Sequence, residues 1–559
     1  MNEIGVIGLA SNTDSYIAID AGGTRLRGYE SIAGTEFFGA GVRHTQSLAF
    51  DLAHTIVGAI PQEIKEVDVL VLSLAAIPQR DEDRELLAAA IWQRLKFGKL
   101  LIVSDTKAGA LSSQSQADLT IAVGTGITAM VRTSDLNFEL TGHGYLIGDE
   151  ASGFWIGRQA INAALKADEG RGPHTSLLKS ATDFYHVPAA QLADYIHQLP
   201  NPVTQIAAFA PEVVAAANEG DDQAQQIINA ASDEIVQLIK VGIERASVKS
   251  VALIGGAIPQ GGLLHNHVVA GTQGLAIEFI TATSEPLAGA KRIAQNQDLH
   301  DGLISIAASD INTQTWSNLY LLNAQDLLGQ VALTQHGAIA ECIGIFAEAL
   351  ADNKMIHTFG TGHSHLLAEE IFYRAGGLAA VYPILDERLM LHKDVVKGSQ
   401  NERLPGLAEE LLQKHSVNAG DVVIVISNSG GNQVTIDLVK LAKAAGATVI
   451  ALTSINHATS SSARSSASEK IHQLADVVLD NSGVVGDASV NVAGSLMSVG
   501  PTSTVIGGAL LQSIVVGTVA ELVKRGVEPE IFLSSNLAEG DANNARLFDK
   551  YRPLIDLYN

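Results

Sequence analysis

An apolar strand that runs into an acidic residue and two glycines is the feature that most constrains how this chain can fold. The strand covers residues 17–19 and is followed directly by Asp20, Ala21, Gly22, Gly23 and Thr24. Such a turn presents a carboxylate to a metal ion and bare backbone N–H groups to phosphate oxygens, because glycine allows a close approach to the chain. A plain tight hairpin has the same residue types, so the segments that follow decide between the two interpretations.

Turns of the same kind end two later strands. After the strands at 119–123 and 251–254, these turns contain Gly124, Thr125 and Gly126, and then Gly255 and Gly256. The turn at 124–126 and the one after residue 19 predict that a nucleotide's phosphates are gripped from two sides. The Gly-Gly pair at 255–256 is suited to a flat adenine that lies against the backbone.

Acidic residues accompany these turns. The strand at 100–104 ends at Asp105, and a glycine-rich segment that contains Gly144, Asp149 and Ser152 precedes a helical stretch. By spacing alone, Asp105 is equally suited to cap the helix that follows it, and Asp149 is equally suited to a solvated turn. The presence of both acids beside two phosphate loops favours a functional role.

The composition limits the kinds of partner. The 559 residues are 47% hydrophobic and 17% charged, and 36 basic against 60 acidic residues give a net charge of −24. This charge disfavours nucleic acid and anionic membranes, so loops, backbone amides and a metal ion must hold phosphorylated ligands. The length predicts about three or four domains of ordinary size.

The cysteine content and the apolar segments predict a cytoplasmic protein. A single cysteine, Cys342, excludes a disulfide framework, and the N-terminus lacks the basic and apolar regions of a signal peptide. The most apolar long run, 504–523, contains Gln512, Ser513 and Glu521. These polar groups favour a buried or interface helix over a membrane span.

The order of these segments over about residues 14–300 resembles the BadF/BadG and N-acetylglucosamine kinase branch of the actin-like ATPase fold. The most diagnostic match is Gly-Asp-Glu-x-Ser-Gly-x-Trp-Ile-Gly at 148–157. The resemblance implies two duplicated RNase H-like lobes that hold ATP and Mg²⁺ between them, with Asp20 contacting the metal indirectly. His143 stands where the N-acetylglucosamine kinases tend to have tryptophan, so the substrate is open to another sugar.

Carried over by position, the resemblance implies a role for each motif residue. Asp105 is the catalytic base and would take the proton of the sugar hydroxyl. The implied ATP and phosphate ligands are Asp20, Gly22, Gly23, Thr24, Gly124, Thr125, Gly126, Gly255 and Gly256, and the implied sugar ligands are Asp149, Gly144 and Ser152. A dehydratase activase of the same fold is excluded, because this half has no cysteine to hold an iron–sulfur cluster.

Strands also run into hydroxyl-bearing turns in the second half. The strands at 355–359, 422–426 and 448–452 are followed by turns that contain Gly362 and Ser364, then Ser427 and Ser429, then Thr453 and Ser454. Strands that alternate with helices predict a parallel sheet, whose ligands bind at the carboxyl ends of the strands. A helix start with a serine cap is the structural alternative for Ser364.

This half resembles the SIS (sugar isomerase) phosphosugar-binding domain over about residues 315–559, through its motifs at 360–365, 384–392 and 500–504. The resemblance implies that Gly362, Ser364, Ser427, Ser429, Thr453 and Ser454 bind a phosphosugar. Glu370 lies on a helix similar to the one that carries the catalytic glutamate of sedoheptulose-7-phosphate isomerase, which makes it the candidate base. An exposed glutamate on an amphipathic helix is the alternative.

The sequence therefore predicts an α/β protein, with duplicated actin-like ATPase lobes in residues 1–308 and a SIS-type parallel α/β sandwich in residues 309–559. The predicted function is ATP-dependent phosphorylation of a sugar or amino sugar, with phosphosugar binding and isomerisation in the second domain. The alternative is a sugar-phosphate-sensing regulator whose SIS domain is not catalytic. SIS domains of this kind pair, so we expect a homodimer or a larger homo-oligomer.

Overall fold

The computed structural model describes residues 15–22, 25–42, 48–75, 77–112, 117–133, 136–199, 202–281, 285–461, 465, 469–537 and 539–558. The chain forms two compact units, Met1–Trp316 and Ser317–Asn559. The sequence predicts the division between residues 308 and 309. In the structure, the helix Thr313–Thr334 runs across the division between the units.

The strands of the first unit form two sheets of similar plan. They are β1 (Tyr16–Ala21), β2 (Arg25–Glu30), β3 (Thr35–Ala40), β4 (Glu66–Leu74), β5 (Lys96–Ser104), β6 (Leu119–Val123), β7 (Ile127–Arg132), β8 (Asn137–Glu139), β9 (Ser250–Ile254), β10 (Glu278–Phe279) and β11 (Ile304–Ala307). The sheet orders are β11-β5-β4-β1-β2-β3 and β10-β9-β6-β7-β8. In each sheet an antiparallel meander (β1 to β3, β6 to β8) is extended by two parallel strands, which confirms the duplicated architecture.

Helices connect and cover these strands. They are α1 (Leu48–Ala59), α2 (Asp81–Trp92), α3 (Asp105–Ser112), α4 (Gly153–Asp168), α5 (Leu177–Tyr185), α6 (Ala189–Gln198), α7 (Pro202–Ala207), α8 (Ala210–Asn218), α9 (Asp222–Ala246), α10 (Leu263–Gly271) and α11 (Pro286–Gln295). Helix α3 contacts β4 and β5 of the first sheet and also β6 and β7 of the second. It therefore links the two lobes at the ends of their strands.

The second unit contains a parallel sheet and a small antiparallel pair. Its strands are β12 (Ile356–Gly360), β13 (Val381–Ile384), β14 (Val422–Ile426), β15 (Thr448–Thr453), β16 (Val477–Asp480), β17 (Ala488–Val490) and β18 (Val499–Pro501). The parallel order is β13-β12-β14-β15-β16. Alternate residues of β14 enter different cores, with Val422, Ile424 and Ile426 in one and Val423 and Val425 in the other. Burial on both faces explains why the strand is apolar throughout.

The helices of the second unit cover both faces of that sheet. They are α12 (Thr313–Thr334), α13 (His336–Ala351), α14 (Ser364–Glu370), α15 (Val395–Asn401), α16 (Leu407–Lys414), α17 (Gln433–Ala444), α18 (Ile455–Thr459), α19 (Ile471–Leu474), α20 (Ser503–Lys524) and α21 (Gly540–Tyr551). Helix α20 is long and apolar enough to cross a membrane by length and composition alone. Ile506, Leu510 and Ile514 nevertheless pack into the core of the unit, as the sequence predicts for a buried helix.

Candidate functional sites

The carboxylate of Asp20 lies near the end of β1 and is held by its strand neighbours. Its Oδ2 accepts a hydrogen bond from Nη2 of Arg27 at 3.0 Å, and its Oδ1 accepts one from Oγ of Ser73 at 3.4 Å. Arg27 and Ser73 are its register partners on β2 and β4. The arginine already offsets the charge of the carboxylate, so the pair is better suited to an indirect metal contact than to direct ligation. Gly22 follows in the same turn, whereas Gly23 and Thr24 lie outside the described residues.

Asp105 opens helix α3 at the end of β5, and it is half-buried. The cap of that helix is Ser104, whose Oγ accepts a hydrogen bond from the backbone N–H of Lys107 at 3.1 Å. The structure therefore gives the capping role to the serine. Since β4 separates β5 from β1 in the sheet, Asp105 and Asp20 stand about two strand spacings apart, roughly 10 Å.

The turn at Gly124, Thr125 and Gly126 joins β6 to β7 and rests on the start of helix α4. The N–H groups of Gly153 and Phe154 donate to the carbonyl oxygens of Gly124 and Thr125 at 2.8 and 3.1 Å. A Cβ on Gly153 would lie 2.9 Å from the Gly124 oxygen, so glycine is needed there. Thr125 is exposed at the tip of the turn, where a ligand can reach it.

Asp149 lies beneath this turn. The residue is 7% exposed, and its carboxyl group accepts hydrogen bonds from the backbone N–H groups of Ile127 and Gly144. Burial raises the pKa of Asp149 above its usual value, although these hydrogen bonds oppose the shift. A Cβ on Gly126 would lie 2.8 Å from Oδ2 of Asp149. The structure therefore shows that Asp149, held by Gly144, supports the turn at 124–126. The sugar contacts of Asp149 and Gly144 stay predictions.

Ser152 caps helix α4. Its side chain is fully buried, and its Oγ accepts the N–H of Trp155 at 3.1 Å. The hydroxyl is thus committed to the helix start. This placement gives no support to the predicted sugar contact of Ser152.

The Gly255 turn is packed against the Gly124 turn, because β9 and β6 are parallel neighbours. Gly255 has a φ of +114°, and a Cβ there would lie 2.2 Å from the carbonyl oxygen of Val123. Only glycine fits this close approach. The N–H of Ala257 donates to the same oxygen at 3.1 Å, and Gly256 is exposed beside it. Two of the predicted nucleotide turns therefore lie side by side.

In the second unit, two predicted phosphate ligands have free hydroxyl groups. Ser364 opens α14 after the β12 turn, and Ser429 lies in the turn after β14. Both are half-buried. Within the described part of the chain, neither hydroxyl makes a hydrogen bond. Both are available to a ligand at the carboxyl edge of the sheet.

The other predicted hydroxyl ligands are used within the fold. Oγ of Ser427 accepts the N–H of Gly430 at 3.1 Å. Thr453 and Ser454 are fully buried, and they donate to the carbonyl oxygens of Asn428 and Gly483 at 3.2 and 2.7 Å. These bonds hold the turns together, so the structure favours a supporting role for all three residues.

Glu370 ends helix α14, and other side chains hold its carboxylate. Arg374 forms a salt bridge to Oε1, and Nε2 of Gln512 donates to the same oxygen at 3.2 Å. Glu370 therefore links α14 to α20. Because both partners occupy the same carboxylate oxygen, the predicted role as a base receives no support from its contacts.

The sequence patterns did not reveal two residues at these candidate sites, Arg27 in the first unit and Glu402 in the second. Arg27 is the ion-pair partner of Asp20, and hairpin register was the signal that could have revealed it, because the two residues face each other across β1 and β2. Glu402 lies beside the β12 turn and bonds Asn432, which is 30 residues further along the chain. No local motif marks Glu402, so only the folded chain reveals it.

Comparison with known proteins agrees with the two units. The BadF/BadG/BcrA/BcrD ATPase family matches residues 15–294, half of the chain, and the SIS domain matches residues 319–454. A UPF0309 protein of Listeria monocytogenes is 38% identical over 240 residues, which cover 43% of this chain and 97% of that protein. Another UPF0309 protein, from Halalkalibacterium halodurans, is 41% identical over 225 residues, which cover 40% of this chain and 93% of that protein.

A solved structure similar to half of this chain is described as a putative N-acetylglucosamine kinase from Chromobacterium violaceum. It is 23% identical, with a TM-score of 0.40, and the match covers 50% of this chain and 99% of that one. The family matches confirm both resemblances seen in the sequence. The chain belongs to the BadF/BadG/BcrA/BcrD ATPase family through its first half and to the UPF0309 group of SIS-domain proteins through its second.

Proposed function

We propose that the first unit is an ATP-dependent kinase for a sugar or amino sugar, and that the second unit binds and isomerises a phosphosugar. The observation that carries the kinase proposal is the position of Asp105. It stands at the end of β5, two strands from Asp20, on a helix that contacts the β6 and β7 strands around the Gly124 turn. The proposal is supported by this position at the start of a helix that reaches the second sheet, and by Ser104, which accepts the N–H of Lys107 at the start of that helix.

The first unit offers suitable groups for a nucleotide and a magnesium ion. The neighbouring Gly124 and Gly255 turns expose backbone for phosphate and adenosine, as glycine turns do. Asp20 supplies carboxylate oxygen atoms of the kind that Mg²⁺ prefers, and Mg²⁺ commonly keeps several water ligands. When bound, the ion would neutralise charge on the transferred phosphoryl group. Asp20 would then hold it through water, since Arg27 already pairs with the carboxylate.

Asp105 would act on the sugar substrate. Its carboxylate takes the proton of the attacking hydroxyl group while that oxygen bonds to the γ-phosphorus of ATP and the bond to the ADP oxygen breaks. The products are a sugar phosphate and ADP. We also propose that the protein acts in the cytoplasm and pairs with a second copy through the SIS unit, as related SIS domains do.

The test of the kinase is ATP consumption against N-acetylglucosamine, glucosamine, N-acetylmuramic acid, N-acetylgalactosamine and N-acetylmannosamine, with products followed by mass spectrometry. Asp105→Asn should keep ATP binding and lose about 10²- to 10⁴-fold in phosphoryl transfer. Asp183→Asn is the matched control, because Asp183 is an exposed helix residue paired with Lys179. Wild-type rates in Asp105→Asn would refute the assigned base.

The SIS unit has one alternative function, a sensor that binds a sugar phosphate and regulates the kinase. The free hydroxyls of Ser364 and Ser429 fit phosphate binding under either function. Turnover separates the two, because a sensor binds sugar phosphates and leaves them unchanged. If none of the sugars is phosphorylated while ATP and sugar phosphates still bind, the sensor becomes the better account.

A further inference from the structure

Glu402 follows helix α15, and its carboxyl group lies between the β12 turn and the start of α17. Its Oε2 accepts a hydrogen bond from Nδ2 of Asn432 at 2.7 Å, and the side chain of Thr361 bonds the same carboxyl group. A Cβ on Gly362, where φ is +56°, would lie 3.1 Å from Oε1. The carboxyl group therefore stands between the turns that carry the two free serine hydroxyls.

The backbone holds Glu402 in this position from both sides. Its N–H donates to the carbonyl oxygen of Gly398 at 3.1 Å, and its own carbonyl oxygen accepts the N–H of Val434 at 3.1 Å. The residue is half-buried. A functional group fixed by surrounding structure is preorganised for chemistry at a defined point.

The surroundings leave the carboxyl group able to exchange a proton. No salt bridge to Glu402 is present among the residues that the structure describes. Burial raises the pKa of Glu402, while hydrogen bonds from Thr361 and Asn432 and the charge of Arg403 oppose the shift. A carboxylate has about four lone-pair sites, so two hydrogen bonds do not exhaust it.

Glu370 differs from Glu402 in its charged partner and in its position. Its carboxylate has an arginine partner and an amide partner on α20. Glu370 lies at the far end of α14, whereas Glu402 contacts the turn from which α14 starts. The two glutamates thus form a natural pair for testing which carboxyl group acts on a ligand.

We propose that Glu402 is the catalytic acid–base residue of the SIS unit and moves a proton at the carbon atom beside the carbonyl group of an open-chain phosphosugar. The inference rests on the proposed phosphosugar binding. The ligand's phosphate would bind to Ser364 and Ser429, with its carbon chain directed toward Glu402.

The proposed step balances without any further reagent. The Glu402 carboxylate takes the proton from the carbon beside the carbonyl group, and the electron pair of that C–H bond forms the double bond of an enediolate. The former carbonyl oxygen receives the negative charge. The proton then returns to the neighbouring carbon, while the hydroxyl proton moves from one oxygen to the other. The product is the isomeric sugar phosphate.

The experiment is deuterium exchange at carbon in the full-length protein. Glucose 6-phosphate, glucosamine 6-phosphate and N-acetylglucosamine 6-phosphate are incubated in D₂O, and the carbon-bound hydrogens are followed by NMR. Binding of each probe is measured by calorimetry, and folding by thermal unfolding. Glu402→Gln should bind the probe, remain folded and lose exchange by at least about a hundredfold. Glu409→Gln, at an exposed position on helix α16, is the control and should keep exchange within a few-fold. Loss of exchange in Glu370→Gln, with exchange retained in Glu402→Gln, would overturn the assignment in favour of Glu370.

Each of the other possible results contradicts a specific part of the inference. Exchange retained in Glu402→Gln refutes the residue assignment and leaves isomerisation standing. Probe binding without exchange in the wild type refutes both and favours the sensor. Absence of binding by any probe refutes phosphosugar recognition, and the role of Glu402 falls with it. If Glu402→Gln does not fold, Glu402→Asp replaces it, and wild-type exchange in that shorter variant counts against the assignment.

Discussion

At the strand ends of the first unit the backbone forms the candidate phosphate surface, whereas side-chain hydroxyls form it in the second unit. Gly255 approaches the Val123 carbonyl so closely that no side chain fits. In the second unit, Ser364 and Ser429 offer free hydroxyls, while Ser454 is bonded inside the fold. Similar strand-to-turn patterns thus form two kinds of candidate phosphate site. At Gly255 the first leaves no room for a Cβ, and in the second some hydroxyls are free while others are bonded within the fold.

The largest effect is expected from Gly255→Ala. The positive φ and the 2.2 Å approach of a Cβ to Val123 should cost on the order of 3 kcal/mol or more in the free energy of unfolding of the first unit. ATP binding should fall with it. The measurement is urea unfolding with and without a non-hydrolysable ATP analogue.

Gly256→Ala is the matched control for that variant, because a Cβ on Gly256 meets no atom within 4 Å. Its unfolding free energy should stay within about 0.5 kcal/mol of the wild type. Equal losses in the two variants would show that the close approach at Gly255 is not what limits substitution.

The second-largest effect is expected at a hydroxyl group that is bonded within the fold at the carboxyl ends of the SIS strands, that of Ser454. Ser454→Ala removes the bond to Gly483 and the cap on the N–H of His457. Loss of both should cost about 1–3 kcal/mol in the stability of the second unit. Affinity for N-acetylglucosamine 6-phosphate, measured by calorimetry on the folded variant, should be nearly unchanged. A large loss of affinity without loss of stability would restore Ser454 as a ligand.

The third effect should appear in ligand affinity and not in stability, the opposite of what Ser454→Ala should show. Ser429→Ala and Ser364→Ala should each weaken binding of the same sugar phosphate by about tenfold, since each removes one hydrogen bond of about 1.4 kcal/mol to a charged group. Stability should change by less than about 0.5 kcal/mol. Ser513→Ala, on the exposed side of α20, is the control for both measurements. Unchanged affinity in both variants would contradict the assignment of a phosphate site.

Sequence patterns sufficed for the fold because they are local. Apolar runs such as Val422–Ile426 and their following turns predicted strands and a parallel sheet, whereas the duplicated lobes were implied by the resemblance to the actin-like ATPase fold. The same patterns could not tell that the Ser454 hydroxyl is consumed by Gly483, since that contact joins residues 29 apart. Nor could they find Glu402, whose partners come from two other turns. Residue type predicts what a side chain can do, and tertiary packing decides whether it is free to do it.

The smallest effect comes from the opposite, amino-terminal end of the SIS sheet, where His415 is buried beside Tyr382 and His357. Neither ring nitrogen of His415 has a hydrogen-bond partner among the described residues. Burial lowers the pKa of His415 below its usual 6.5, with Asp556 and Asp386 opposing the shift and Lys414 and His357 adding to it. The folded state therefore disfavours the charged form of the ring.

The free energy of unfolding should consequently fall as the pH drops below about 6.5, because the unfolded chain then binds a proton at His415 more readily than the folded chain does. The slope due to His415 should be at most about 1.4 kcal/mol per pH unit. His415→Leu should reduce this slope, measured by urea unfolding between pH 7.5 and about 5. It should not remove the slope, because burial also lowers the pKa values of His457 and His472. His363→Leu, an exposed site, is the control. Sugar phosphate affinity should not change in His415→Leu, because the hydroxyls that we propose as phosphate ligands lie at the other end of the strands. A matching change in affinity would show that the two ends of the sheet are coupled.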